Sequence, residues 1–520
     1  MTTPHVFVTM GNLLNFKCDA WLLPTDALLN LNPIWTGTLK NLRRIVASQD
    51  TTAFEAEDEL AIALGDWPDT EPLPVLTAVP LAGVRNAEEL RPRFRAFFHA
   101  AAAAMAERDR LDRPRALLAV PFFGTGQGAG GIYRGDILRV LLHEASTLAL
   151  ELGVDVAFVF QEQAAYSMAQ QQRKESADRS WNGLSPRLQA TAKGLSQKSA
   201  QGKIVPFMGA GISMSAGAPS WKGLLEMLIH SGNLSAELNN SLKDLPVLDQ
   251  AAIIKSLYEA NPTTEKSFGQ LVADAVEVKR YGLAPALLAG LRSEAAITLN
   301  YDRLFELASN DAGSERTVIP DDISANTGRW LLKLHGSVAN PDSIVLTRDD
   351  YLGYNTNRDA LSSLVKAHLL THHLLFVGFG LTDPHFHEII FDVRRAIPTD
   401  QQKHFGTVLT LHNDEIQTQI WKGQLDIVPM DEPGEISDDT VAARRLEIFL
   451  DMLAAYSSDS HSFFLAPHYA GGMSPDDLSL RKQLLGLADS NKGQAGLAAW
   501  HVLEESLTSM GWDPRHHYSE

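Results

Sequence analysis

Four segments carry residues whose types and spacing suit one reaction centre. Asn300 and Asp302 follow the apolar run Ala296–Leu299, so both should emerge at the carboxyl end of a strand, where open α/β sheets bind ligands. An amide there orients a water or a sugar hydroxyl. His335-Gly336 ends the run Trp330–Leu334 in the same way and brings an imidazole that titrates near neutrality, the natural general base. The strand-like run Lys203–Met208 empties into Gly209-Ala210-Gly211-Ile212-Ser213, with Ala216-Gly217-Ala218-Pro219 behind it. Closely spaced glycines let a backbone approach a pyrophosphate that a Cβ would hold off, with N–H groups aimed at phosphate oxygens. Gly378-Phe379-Gly380-Leu381-Thr382-Asp383-Pro384 follows Leu374–Val377 as its partner. Together the segments point to chemistry on a nicotinamide dinucleotide. Each alone has a plainer reading: a tight strand-to-helix connection, a helix cap, a structural histidine.

The ordinary dinucleotide fingerprint wants a third glycine where Met214 stands, and an acidic residue ending a second strand about twenty residues on. Neither is present, which disfavours a hydride-transfer enzyme.

The elements that must position these residues alternate. From His5 to about Tyr166, strand-like runs (Val6–Thr9, Ala116–Val120, Val154–Phe160) interleave with helix-like stretches at Pro92–Arg108 and Gly135–Leu152, the α/β pattern. A Gln-, Lys- and Ser-rich stretch follows. Alternation resumes with Ile204–Phe207, Ala296–Leu299, Leu331–Leu334, Leu374–Val377 and Gly406–Leu411, interrupted between Trp221 and Arg292 by a helical insertion. The expected organisation is an N-terminal α/β domain at 1–170, a linker helix at 171–202, a Rossmann-type α/β domain at 203–435 and a helical C-terminal region at 436–520.

The length of 520 residues suggests about three domains. No run reaches the ~18 apolar residues of a membrane span, and the Met-Thr-Thr-Pro-His start lacks a signal core, so a cytoplasmic protein is expected. A formal charge of −18 argues against direct nucleic-acid binding. The single cysteine, Cys18, excludes an intrachain disulfide and a zinc site of paired thiolates. His385 and His387, at i, i+2 on a probable helix, face apart, and His372-His373 reads as a helix end, so no metal site is expected.

In order and approximate spacing, the Gly209–Ser213 turn, Thr298-x-Asn300-x-Asp302, His335-Gly336 and Gly378-x-Gly380-x-x-Asp383-Pro384 resemble the sirtuins. Sirtuins cleave the nicotinamide–ribose bond of NAD and pass ADP-ribose to an acyl-lysine, a protein side chain or water. The resemblance implies NAD contacts from Gly209, Ala210, Gly211, Ser213, Gly378, Gly380 and Asp383, with Asn300 and Asp302 beside the ribose and nicotinamide and His335 as catalytic base. Position 380, often Ser in the family, is Gly here. Sirtuin deacylases carry a four-cysteine zinc ribbon that this chain cannot build. With Tyr301 beside Asn300, it resembles the zinc-free sirtuin-like domains of bacterial anti-phage proteins, which implies an NAD glycohydrolase. The alternatives are a protein ADP-ribosyltransferase and a catalytically idle nucleotide-sensing scaffold. A homo-oligomer, and a partner such as a HerA-type helicase or other ATPase, accompany the leading reading.

Gly11-Asn12-Leu13-Leu14, Cys18–Pro24 and Ala119–Gly128 resemble two loops of macro domains, which bind ADP-ribose. That resemblance implies an adenine contact from Asp19 and a phosphate cradle at Gly124–Gly128; a degenerate α/β domain used for assembly is the alternative.

Overall fold

The computed structural model describes the whole chain except residues 1–2, 109–110, 127–129, 236, 262–264, 323–327, 399–403, 460, 492–497, 517 and 519–520. It divides into two compact units, Met1–Gln189 with Asp451–Glu520, and Ala190–Leu450.

In the first unit, six strands form a mixed sheet in the order β1-β6-β5-β2-β4-β3: β1 (Val6–Met10), β2 (Ala20–Thr25), β3 (Ala61–Ala63), β4 (Leu73–Ala78), β5 (Leu117–Val120) and β6 (Asp155–Phe160). All neighbours pair in parallel except β3 with β4. β4, β5 and β6 are buried throughout, as expected of strands covered on both faces. The helices Arg91–Met105 and Arg134–Leu152 bury Phe94, Phe97, Phe98, Leu138, Leu141 and Leu148.

The C-terminal region carries helices at Asp439–Ser457, Pro475–Asn491 and Ala498–Ser509, and from Asp451 onward it clusters with the N-terminal sheet. Asp451 is fully buried and accepts from His5 Nε2 at 2.9 Å, Trp181 Nε1 at 2.9 Å, the Val8 amide at 3.2 Å and both Arg173 guanidinium ends. Burial opposes its charge, yet these donors hold its carboxyl well below the ordinary carboxylate range. Sequence patterning gives no warning of such a contact.

Asp19 corrects the sequence reading. It precedes β2, at the amino end of that strand, and its carboxylate accepts from the Leu111 and Leu117 amides at 2.7 and 2.6 Å. The cavity of this unit, about 460 Å³, lies at the opposite, carboxyl ends of β1, β2, β5 and β6, lined by Asn12, Thr25, Asp26, Gly124, Thr125 and Glu162. Asp19 therefore does not reach it. Of the expected phosphate turn, Gln127 and Gly128 lie outside the described residues.

The second unit carries an all-parallel seven-stranded sheet. Its strands are β7 (Ile204–Met208), β8 (Ala295–Thr298), β9 (Thr317–Ile319), β10 (Trp330–Lys333), β11 (His373–Val377), β12 (Gly406–Thr410) and β13 (Leu425–Pro429), in the order β13-β12-β11-β7-β8-β10-β9. From β7 the chain winds one way through β8 and then returns to the other side at β11. That reversal makes the carboxyl ends of β7 and β11 the topological switch point, where doubly wound sheets bind ligands. The insertion between β7 and β8 is helical, with Leu224, Leu228, Ile254, Tyr258, Leu271 and Val272 forming a separate apolar cluster.

Candidate functional site

The loops leaving β7, β8, β10 and β11 meet at one cavity of about 550 Å³. Gly209, Ala210, Ser213, Asn300, Asp302, His335, Gly378, Gly380 and Asp383 all line it. Gly211, the remaining expected contact, sits behind the cavity wall against the β11 loop.

The glycines have a reason the sequence did not reveal. The Gly209 and Gly211 amides donate to Val377 O and Gly378 O at 3.0 Å, and a Cβ on Gly211 would stand 2.7 Å from Gly378 Cα. Gly378 itself has φ +63°, and its own Cβ would meet the Ile212 amide at 2.5 Å. The two loops cross backbone to backbone, so these glycines are demanded by the protein before any phosphate arrives. Gly380 differs: a Cβ there meets only Thr382 Oγ1, at an ordinary 3.7 Å. We expect Gly211→Ala to destabilise by about 1–3 kcal/mol, read as a fall in Tm. Gly380→Ala should leave Tm unchanged to within about 1 °C; a Tm loss equal to that of Gly211→Ala refutes the distinction.

Beside the crossing, three polar side chains lock together. Ser213 Oγ donates to Asp302 Oδ2 at 2.8 Å, and Asn300 Nδ2 donates to Gly209 O and Ser213 Oγ, both at 3.1 Å. Asp302 Oδ1 accepts from the amide of Leu304, the first residue of the following helix, at 3.0 Å. The Asn300 side-chain oxygen is left for the cavity. Below this network Lys333, with no exposure, donates to Tyr301 O, Asp302 O and Glu306 Oε1, so the ammonium at the end of β10 fixes the turn at the end of β8. The motif Lys333-Leu334-His335-Gly336 was visible in the sequence, but nothing in it signalled that the lysine points inward.

His335 is buried. Its Nε2 has no hydrogen-bond partner among the described residues and stands 3.7 Å from Asp383 Oδ2. Burial lowers its pKa to about 4, against the pull of Asp383 and helped by His385 and Arg358. The imidazole is therefore neutral at physiological pH, the state a proton acceptor requires. Linkage gives a test. The folded pKa lies below the unfolded 6.5, so the unfolded chain binds a proton that the folded state refuses. The stability involved is fully present above about pH 6.5 and lost as pH falls toward 4, an effect of about 3 kcal/mol. His373, lowered to about 4 chiefly by burial, acts in the same direction. Denaturant melts at pH 7.5 and 4.5 should show the loss, and equal midpoints would contradict it.

His385 has a neighbour that the sequence reading did not consider. Its spacing to His387 was uninformative because its neighbour is on another element: the His335 and His385 rings lie 5.7 Å apart. Together with Asp383 they bring ligand-type atoms within 4.8 Å of one another, the group among the described residues that could hold a metal ion. Tyr351 stacks on His385 at 4.4 Å and lines the cavity. Trp221, at the start of the helical insertion, also lines the cavity, with its indole N–H buried and without a hydrogen-bond partner among the described residues. Tyr351 carried no motif, whereas Trp221 ends the segment Ala216–Trp221 behind the glycine turn.

Residues 294–429 match the family model described as a SIR2-like domain. The chain is 30% identical over 206 residues to the NAD(+) hydrolase ThsA of Bacillus cereus (strain MSX-D12), covering 38% of this chain and 41% of that protein. It is 30% identical over 221 residues to the NAD(+) hydrolase ThsA of Enterococcus faecium (41% and 44%) and to Defense-associated sirtuin 2 of Bacillus subtilis (41% and 21%). The matches thus span less than half the length of these curated relatives.

Proposed function

We propose that this protein, whose second unit carries a SIR2-like domain, hydrolyses NAD⁺ to nicotinamide and ADP-ribose. The observation that carries the reading is the convergence on one cavity, at the switch point of the sheet, of Asn300, Asp302 and a neutral His335 whose Nε2 has no hydrogen-bond partner among the described residues. The Gly209–Ser213 and Gly378–Asp383 loops hold the phosphates and riboses; Asn300 and Asp302 orient the nicotinamide ribose. The C1′–N bond breaks with its electron pair leaving on nicotinamide. Water adds to the oxocarbenium-like carbon, and His335 takes the proton that water releases. The single cysteine, which rules out a thiolate zinc ribbon, favours water over acyl-lysine as acceptor.

The relatives named NAD(+) hydrolase and Defense-associated sirtuin support a role in depleting NAD during anti-phage defence. In that role the protein is cytoplasmic and held inactive until triggered, by homo-oligomer packing or by a partner such as a HerA-type ATPase. No helix of the described residues is long and apolar enough to cross a membrane. For the first unit, a macro-like domain that takes ADP-ribose is supported by a cavity at the carboxyl ends of its parallel strands.

The test is to incubate the purified protein with NAD⁺, with and without acceptor proteins, and to follow nicotinamide and free ADP-ribose. Stoichiometric free ADP-ribose supports hydrolysis. Label retained on protein would instead mean ADP-ribosyl transfer, and absence of turnover with and without a partner would favour an idle scaffold.

A further inference from the structure

Ser213 lies on the single helical turn Gly211–Met214 and is 1% exposed. The sirtuin resemblance implies an NAD contact at this position, but the hydroxyl is already engaged inside the protein. Its one proton goes to Asp302 Oδ2 at 2.8 Å, and its oxygen accepts from Asn300 Nδ2 at 3.1 Å. Asp302 is itself fixed, because its other oxygen accepts from the Leu304 amide at 3.0 Å. Ser213 thus bridges the two polar residues that follow β8.

The bridge determines which end of the Asn300 amide meets a ligand. Gly209 O can only accept, so the side-chain atom 3.1 Å from it is the nitrogen. The second Nδ2 proton points to Ser213 Oγ, whose own proton is turned away toward Asp302. Both donors of the amide are therefore taken by the protein. Oδ1, with no hydrogen bond among the described residues, is left to the cavity that Asn300 lines. An amide oxygen only accepts, so the group it meets must bring a hydrogen, as a ribose hydroxyl does. Removing the Ser213 hydroxyl frees one Nδ2 proton and lets the amide swing about its remaining bond to Gly209 O. The backbone stays in place, because the Asn300 N–H donates to Thr298 Oγ1 and the Ser213 N–H to Ala210 O, both at 3.0 Å.

We propose that Ser213 is a positioning residue: anchored by Asp302, it holds the Asn300 amide so that only the carbonyl oxygen is presented to a ribose hydroxyl of NAD⁺. This rests on the reading of the cavity as the site of NAD hydrolysis.

A double-mutant cycle on kcat and an amide-exchange measurement test it together. Ser213→Ala should lower kcat about 10-fold with KM within about twofold. In an Asn300→Ala background the same substitution should change kcat by less than about twofold, since the side chain it positions is gone. An unchanged kcat in Ser213→Ala, a KM raised beyond that limit, or losses that multiply in the double variant overturns the proposal. The second readout needs no turnover. In protein labelled with ¹⁵N-asparagine, with Asn300 assigned through Asn300→Ala, the side-chain amide protons of Asn300 should exchange slowly with solvent in the parent and ~10-fold faster in Ser213→Ala. Fast exchange in the parent, or exchange unmoved by the substitution, also overturns it. If the parent releases no nicotinamide, the hydrolase reading falls, while the exchange measurement still decides whether Ser213 holds the amide.

Discussion

Replacing His335 with alanine is expected to slow nicotinamide release from NAD⁺ by about 10²- to 10⁴-fold, the usual contribution of a positioned general base. The structure predicts that this loss comes without unfolding. Among the described residues His335 Nε2 makes no hydrogen bond that the substitution would break, Nδ1 loses only a 3.5 Å contact with the Tyr351 hydroxyl, and the backbone bond from the Val345 amide to His335 O at 2.9 Å survives it. Chromatography of nicotinamide beside a melting curve checks both halves. The acid sensitivity assigned to this imidazole should shrink as well, because alanine has no proton to refuse between pH 6.5 and 4. A variant within tenfold of the parent rate would remove His335 from the reaction.

The second large effect is on stability. Lys333→Met should cost about 3–5 kcal/mol, the range for breaking one side of a buried ion pair, and lower Tm by roughly 2–4 °C for each of those kcal/mol. The ammonium is fully buried and its three acceptors lie within 3.3 Å. Methionine fills the space but leaves the Glu306 carboxylate, itself only 8% exposed, without its cation. Adding Glu306→Gln should recover part of the loss, since the stranded charge is then gone while the Tyr301 and Asp302 carbonyls remain unpaired. Denaturant melts of both variants measure this, and a single-mutant effect below about 1 kcal/mol would contradict it. Nicotinamide release should fall as well, because Lys333 anchors the turn that presents Asn300 and Asp302.

What could be read from the chain followed from where apolar runs stop. Runs ending at Met208, Leu299, Leu334 and Val377 predicted that the residues after them share one sheet edge, and the cavity gathers Gly209, Asn300, His335 and Gly378 there. Shorter or more polar strands were not expected: β9 spans three residues, and β13 exposes Asp426. The side chains that tune the site were hidden for a different reason. Tyr351, His385 and Lys333 meet their partners across loops and between elements, and no local period encodes such meetings. Even a correct signal could carry an incomplete cause. Gly211 and Gly378 were recognised as close-approach glycines, but the surface they approach is each other's backbone.

Asp451 bears on the order in which the chain can be finished. Its donors, His5, Arg173 and Trp181, are synthesised before the second unit, and their acceptor only after it. Between Gln189 and Asp451 lie roughly 260 residues, which at about 5–20 residues per second take on the order of 10–50 s to translate. For that interval a guanidinium, an imidazole and an indole lack the carboxylate that accepts their hydrogen bonds. Meanwhile every residue that lines the cavity of the second unit has already been made. The emerging protein therefore carries every residue that lines that cavity before its N-terminal unit can close.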